Sequence, residues 1–421
     1  MPPSTRFNVS ALVRPNILAL TPYRCARDDY SKGLLLDANE NALGPALPDH
    51  SDLNLSLLSL HRYPDPRQRS VRQVFAKFRD ISSVNIFCGV GSDEAIDILI
   101  RVFCRPTKDK ILICPPTYGM YAVSAHINDV PVVRVPLHLP TDGGVSLEQV
   151  FQLDMDALKA KLSTDPDIKL VFLCSPGNPT GLALRKLDIR ELLEMKDWHG
   201  LVIVDEAYID FTIESTEDGG RGSVVSWISE FPNLVILQTL SKSFGLAGLR
   251  MGIAMASPEI IHYMDNTKAP YNCSALTQDV AKMALTPENI QIMRSHAQTL
   301  IERRDSSMRA ILAIPGVEPV IPVPVATPIN PTPMRSGDAN FFLVRIMDRD
   351  GVQGNNGRAT MVYRWLAEQA QVVVRFRGNE PGMEGALRIS SPGTRDEEEK
   401  LVRDFREAME VTTDIWDTAD S

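Results

Sequence analysis

The sequence predicts an α/β fold, a large and mostly parallel sheet covered by helices and joined to a smaller α+β domain. Three observations carry that reading. Near-continuous apolar runs recur at 84–88, 110–114, 132–135, 169–174, 201–204, 234–239 and 251–256. Amphipathic segments of helical spacing, such as 189–198, lie between several of them. Strands apolar on both faces that alternate with helices belong in a covered parallel sheet. Beyond residue 300 the texture changes to a Pro-dense stretch and then a second set of short strands and helices.

In chain order, residues 1–62 read as an N-terminal arm that contributes to the smaller domain, 63–300 as the large domain and 301–421 as the smaller one. The 84–88 strand runs into Gly89-Val-Gly-Ser-Asp-Glu94, where Ser92 or Asp93 is expected to cap the next helix. That helix carries Ile96, Leu99, Ile100 and Phe103 at helical spacing. A long helix is expected over 289–313. The segment 314–333, dense in proline, reads as a loop or linker, because proline removes donors and blocks regular ladders. The acidic, Gly-rich segment 214–222 reads as a weaker insertion. Strands at 340–346, 372–376 and 386–390 and a helix at 361–369 follow. A charged helix from Arg395 closes the pattern, with Asp396-Glu-Glu-Glu399 in its first turn, where the helix dipole favours acids. No repeat of 20–50 residues is present.

Composition narrows the function classes. With 44% hydrophobic and 23% charged residues over 421 positions, the chain can build a large core. A net charge of −9 argues against a dedicated binder of nucleic acid or anionic membrane. Six cysteines lie far apart with no C-x-x-C pair, so zinc-site spacing is absent. Several sit in apolar runs and read as reduced, buried thiols, which places the protein in a reducing, cytoplasmic compartment. No secretory leader and no membrane-spanning run of about 18 apolar residues is expected.

The chemistry-bearing residues follow strand ends, where open α/β sheets bind ligands. Thr239-Leu-Ser-Lys-Ser-Phe-Gly-Leu-Ala-Gly-Leu-Arg250 sets a lysine after an apolar strand. A desolvated or cation-flanked lysine loses its proton readily and can form a Schiff base with an aldehyde. Arg250 offers a fork suited to phosphate, and Thr239, Ser241 and Ser243 offer hydroxyls. An ordinary loop with a solvated lysine is the other reading of this segment. Asp205 closes the strand of Val202-Ile-Val-Asp-Glu-Ala-Tyr208, and a carboxylate there needs a partner. That partner is either a protonated pyridine nitrogen or an arginine elsewhere in the chain. Tyr208 can reach a ring hydroxyl. In Ser175-Pro-Gly-Asn-Pro-Thr-Gly181, Asn178 either makes a turn or presents its amide to a ligand. Gly89-Val-Gly-Ser-Asp-Glu94 offers backbone N–H groups to a phosphate.

In this order the segments resemble the pyridoxal 5′-phosphate aminotransferases of the aspartate aminotransferase-like fold, the fold type I transferases with a seven-stranded sheet. By that resemblance Lys242 is the Schiff-base lysine and proton shuttle, and Asp205 pairs with the pyridinium. Asn178 and Tyr208 contact the ring hydroxyl and Tyr118 stacks on the ring. Gly91, Ser92, Asp93, Thr239, Ser241 and Arg250 surround the phosphate, while Arg388 holds the anionic end of the substrate. Leu20-Thr-Pro-Tyr23, Leu36-Asp-Ala-Asn-Glu-Asn41, Arg62-Tyr-Pro-Asp65, Pro115-Pro-Thr-Tyr-Gly-Met-Tyr121 and Lys268-Ala-Pro-Tyr-Asn272 are similar to the histidinol-phosphate aminotransferase family. The likeness runs over about 12–410. It implies a homodimer in which Tyr63 reaches the neighbouring subunit's cofactor phosphate, with Tyr23, Asn39, Tyr271, Arg375 and Arg388 lining the substrate pocket. It also implies reversible transamination between L-histidinol phosphate with 2-oxoglutarate and imidazole-acetol phosphate with L-glutamate. An aromatic amino acid aminotransferase, an amino-acid-phosphate decarboxylase and a non-catalytic relative are the alternatives. The segments 314–333 and 351–357 are longer than a minimal family member needs.

Overall fold

Thirteen strands order the described chain. A computed structural model describes residues 8–22, 26–48, 59–140, 145–146, 148–213, 220–321 and 337–419, with side chains to 413. In chain order the strands are β1 (Leu34–Leu35), β2 (Ile86–Val90), β3 (Lys110–Ile113), β4 (Val132–Arg134), β5 (Ile168–Cys174), β6 (Leu201–Asp205), β7 (Leu234–Thr239) and β8 (Met251–Ala256). Beyond residue 300 come β9 (Val317–Pro319), β10 (Phe341–Ile346), β11 (Val372–Val373), β12 (Arg375–Phe376) and β13 (Ala386–Ser390).

The large sheet has seven strands in the order β2-β8-β7-β6-β5-β3-β4. Its pairs are parallel except those made by β8, which is antiparallel to both β2 and β7. β6, β7 and β8 are buried almost end to end, as a sheet with helices on both faces requires. The pleat sorts β5 between two cores. Val171 and Leu173 pack with Phe75, Leu162 and Ile189 on one face. Leu170 and Phe172 pack with Ile96, Tyr121 and Met264 on the other. β2, β5, β6 and β7 end at one edge of this sheet, and the reversed β8 begins there. Residues 91–93, 175–178, 205–208 and 239–250 are thereby gathered at that edge.

The four-stranded sheet runs β12-β13-β10-β9 and is antiparallel. Its core combines Phe342, Val344 and Leu387 with Met308 of helix Pro287–Leu312 and with Leu401 and Phe405 of helix Arg395–Ala419. Leu36 joins the same core, and β1 pairs in parallel with β11. The N-terminal segment is thus fastened to the C-terminal third by both backbone and side chain.

The structure corrects four local expectations. Part of the Pro-dense segment is a strand: β9 pairs with β10, with Pro319 opposite Val344. An edge strand needs donors on one side only, so proline is tolerated there. Residues 322–333 of that segment, and 214–219 of the acidic one, lie outside the described residues. The expected strand 372–376 is two strands in two sheets, divided at Val374. The helix expected at 361–369 begins at Asn356, where the Asn355 side chain accepts from the Arg358 N–H. Neither Ser92 nor Asp93 caps its helix. That helix starts at Gly91, and the Glu94 carboxylate accepts from the Val90 N–H.

Phe405 is completely buried where helix Arg395–Ala419 meets the small sheet. Phe405→Ala should cost about 3–5 kcal/mol of stability, as large-to-small changes in packed cores do. Chemical denaturation of the variant measures this.

Candidate active site

The edge where the strand ends converge holds a cavity of about 440 Å³. One wall is the first turn of helix Gly91–Phe103. Gly91 has φ of +73°, and a Cβ there would stand 2.6 Å from Arg250 Nη2. A Cβ on Gly252 would stand 2.1 Å from the carbonyl carbon of Gly91. Both positions therefore demand glycine. Beside this turn, the Asp93 carboxylate accepts from the Tyr118 hydroxyl at 3.0 Å and lies 3.5 Å from Arg250 Nη2. Thr239 Oγ1 lies 2.9 Å from Ser241 Oγ.

Lys242 extends from the loop after β7 into the buried side of the cavity. Its Nζ donates to the Ala38 carbonyl at 2.9 Å. Burial lowers its pKa to about 8, with Arg388 and Arg250 pushing the same way and Glu40 and Asp93 opposing them. Relative to an ordinary lysine, that drop from 10.5 raises the neutral fraction at pH 7 roughly 300-fold. The side chain thus lies in the cavity lining, hydrogen-bonded to the N-terminal segment.

Asp205 is 3% exposed. Its carboxylate accepts from the Tyr121 hydroxyl at 2.7 Å and the Ala207 N–H at 3.2 Å. Among the described residues no cation lies within ion-pair distance of Asp205. Burial pushes its pKa up to about 6, against the Tyr121 and Ala207 hydrogen bonds. Glu206, the next residue, faces away from the cavity into a polar chain. It accepts from Ser223, Val224 N–H and Gln238, and Gln238 accepts in turn from Arg79. Arg79 also pairs with Asp210, which accepts from Ser243 beside Lys242.

The third group comes from the small sheet. Arg388 is 3% exposed and donates to Asn178 Oδ1 at 2.6 Å and to the Asp37 carbonyl. Asn39 donates to the Tyr208 hydroxyl oxygen at 3.0 Å. Burial pushes the Tyr208 hydroxyl up to about 12.

Fourteen of the residues singled out in the sequence line this one cavity: Asn39, Gly91, Ser92, Asp93, Tyr118, Asn178, Asp205, Tyr208, Thr239, Ser241, Lys242, Arg250, Arg375 and Arg388. Tyr63 and Tyr271 do not. They stack on each other with ring centroids 4.5 Å apart, and Tyr63 is 81% exposed. Tyr23 lies outside the described residues. Two functional candidates went unread. Tyr121, in the first turn of helix Met120–Ile127, donates its hydroxyl to Asp205 and packs edge-on against Tyr118. Arg377 lines the cavity two residues after Arg375, the period of a strand face.

Residues 31–405 match the family described as aminotransferase class I and II. The chain belongs to that family. It is a pyridoxal-phosphate-dependent aminotransferase. A histidinol-phosphate aminotransferase from Candida maltosa is 44% identical over 415 residues, spanning 96% of this chain and 98% of that protein. Another, from Saccharomyces cerevisiae, is 41% identical over 416 residues, again 96% and 98%. The crystal structure of histidinol-phosphate aminotransferase from Sinorhizobium meliloti, in complex with pyridoxal-5′-phosphate, matches with a TM-score of 0.74. That match has 19% identity and covers 97% of this chain and 98% of that one. The aspartate aminotransferase-like fold expected from the sequence is therefore present. Among the described residues no helix is long and apolar enough to cross a membrane, and no cluster of metal-ligating side chains is found.

The burial of Asp205 has a measurable consequence in cofactor-free protein. Its folded pKa, about 6, exceeds the ordinary 3.8, so the folded chain binds the extra proton and stability falls as pH rises between those values. Asp205→Asn should stabilise cofactor-free protein by about 3 kcal/mol at pH 7, and the gain should shrink toward pH 4. Denaturant midpoints across that pH range measure it.

Proposed function

We propose that this enzyme moves an amino group reversibly between L-histidinol phosphate and 2-oxoglutarate, giving imidazole-acetol phosphate and L-glutamate, as a step of L-histidine biosynthesis. One observation carries the reading. Identity of 41–44% to histidinol-phosphate aminotransferases over nearly the whole chain coincides with a cavity in which Lys242 lies near the buried Arg388, whose hydrogen bonds go to neutral oxygens.

The pocket fits pyridoxal 5′-phosphate. Lys242 supplies a buried amine and Asp205 a buried carboxyl without a cation, which would hold the ring nitrogen. Gly91, Ser92, Asp93, Thr239, Ser241 and Arg250 would hold the phosphate, at a helix start where glycine leaves room. Asn178 and Tyr208 would face the ring hydroxyl, and Tyr118 the ring. When bound, the cofactor supplies an aldehyde for the amino group and an electron-withdrawing ring. Lys242, made a weaker base by burial, takes the proton from the substrate's α-carbon and returns it. Arg388, charged and desolvated, holds the far anion of either substrate, and Arg375 stands beside it. Asn39 fixes Tyr208 by its hydrogen bond.

We assign residues 63–300 to cofactor binding and 301–421, with part of 1–62, to the arginine-bearing domain. Tyr63 and Tyr271, exposed and stacked away from their own cavity, suit a homodimer in which they reach the neighbouring site, and Tyr23 is assigned to the substrate pocket. Five described cysteines are buried free thiols, in keeping with a cytoplasmic enzyme.

Adding L-histidinol phosphate alone to the cofactor-loaded protein should bleach the cofactor's visible absorbance, and 2-oxoglutarate should restore it. An unchanged spectrum would sink the substrate assignment. Lys242→Ala should lower kcat by on the order of 10⁴-fold. Its denaturant midpoint without cofactor should not fall, because the removed ammonium was buried at a cost.

A further inference from the structure

The motif Gly89-Val-Gly-Ser-Asp-Glu94 holds two residues that the reading above leaves without a task, Gly89 and Glu94. The start of a helix leaves four N–H groups without an intrahelical partner. In helix Gly91–Phe103 these belong to Val90, Gly91, Ser92 and Asp93. Two are taken inside the protein. The Val90 N–H donates to Glu94 Oε2 at 2.5 Å, and the Gly91 N–H to the Arg250 carbonyl at 2.9 Å. Ser92 and Asp93 are left, and both line the cavity, whereas Glu94 is not part of the lining. Its Oε2 also accepts from Asn272 Nδ2 at 2.8 Å. Asn272 is fixed in turn, donating to the Cys88 carbonyl and accepting from Gln68 Nε2, each at 3.3 Å. A single carboxylate oxygen thus ties the start of this turn to a loop 178 residues further along the chain. Gly89 makes room for that oxygen, because a Cβ there would stand 2.9 Å from it.

A negative charge beside a phosphate site opposes binding by repulsion, so a carboxylate in this motif needs another account. Its hydrogen bonds supply one. Charge-assisted bonds are the strong ones, and an acid that reaches back to the first N–H of its own helix fixes how the chain enters that helix. We propose that Glu94 is a positioning residue for the cofactor phosphate. By holding Val90 against Asn272 it fixes the turn from which Ser92 and Asp93 offer their N–H groups, and it touches neither cofactor nor substrate. This deepens the functional reading above and rests on its assignment of Gly91, Ser92 and Asp93 to the phosphate.

The test titrates cofactor-free wild type and variants with pyridoxal 5′-phosphate and with pyridoxal, which lacks the phosphate, and follows binding by visible absorbance. Glu94→Ala should weaken pyridoxal phosphate about fivefold or more, the weight of one helix-capping bond, and leave pyridoxal unchanged. Glu94→Gln keeps an amide oxygen able to accept both hydrogen bonds and should recover most of the loss. Asn272→Ala removes one of the two bonds and should shift the preference in the same direction by less. Equal weakening of both ligands would mean that Glu94 only supports the fold, and would overturn the proposal, as would no change in either. Tighter binding of pyridoxal phosphate by Glu94→Ala also overturns it, because that is the result of relieved repulsion alone. Glu94→Gln no better than Glu94→Ala does the same, since the shared oxygen would then not be the cause. A wild type that binds both ligands equally tightly removes the phosphate from this turn and the proposal with it. A clear wild-type preference that Glu94→Ala leaves intact removes only the role of Glu94.

Discussion

One guanidinium joins the three parts of this active site. Arg388 stands on β13 of the small sheet, donates to Asn178 after β5 of the large sheet, and donates to the carbonyl of Asp37 in the N-terminal segment. Burying such a cation is costly unless hydrogen bonds or an anion compensate it. Neutral oxygens provide part of that compensation here. The remaining demand is electrostatic, and an anionic substrate meets it. The same charge depresses the basicity of Lys242, because two cations in one low-dielectric cavity disfavour each other's protons. Binding and proton transfer are therefore coupled through one side chain: an anion that neutralises Arg388 also shifts the proton affinity of the lysine.

Much of this architecture was legible in the sequence, and for a physical reason. β7 and β8 were read to the residue because they are apolar on both faces over most of their length, so sequence pattern and burial coincide. Lys242, Asp205 and Asn178 stood out because each ends or follows such a strand, and although each alone has a bland reading, the segments taken together and in order do not. The rule that ligands bind at strand ends in α/β sheets marked them as candidates, and the resemblance carried by the segments in order gave them their roles.

What was missed depends on tertiary context. The segment 372–376 reads as one strand because Val372, Val373 and Val374 have the same propensity. The chain nevertheless turns from β1 to β13 within it, and only the two partners decide that division. Pro319 spoke against a strand until the edge position of β9 removed the objection. The helix at Gly91 starts ahead of the residues chosen as caps, because Glu94 reaches back to the Val90 N–H and Gly252 opposite makes room for the turn. Tyr121 and Arg377 share another cause. Each looks in sequence like many packing tyrosines and surface arginines, and its place at the cavity is set by contacts with residues far away in sequence, Tyr121 with Asp205 and Arg377 with Asn178.

The protein is acidic overall, with 53 aspartates and glutamates against 44 lysines and arginines, yet its cavity must attract anions. Arg27 reconciles the two. Asp37 and Glu40 line the cavity, and left alone they would neutralise the arginines there and hold the proton on Lys242. Arg27 lies outside the cavity lining and draws both carboxylates toward itself, with Nη1 3.0 Å from Glu40 Oε1 and Nη2 3.5 Å from Asp37 Oδ1. The Glu40 carboxyl is held below its usual range mainly by its hydrogen bond to Arg27, so it stays ionised without being a strong partner for Lys242. Local electropositivity in this enzyme thus arises less from an excess of basic residues than from where the acidic ones find their partners.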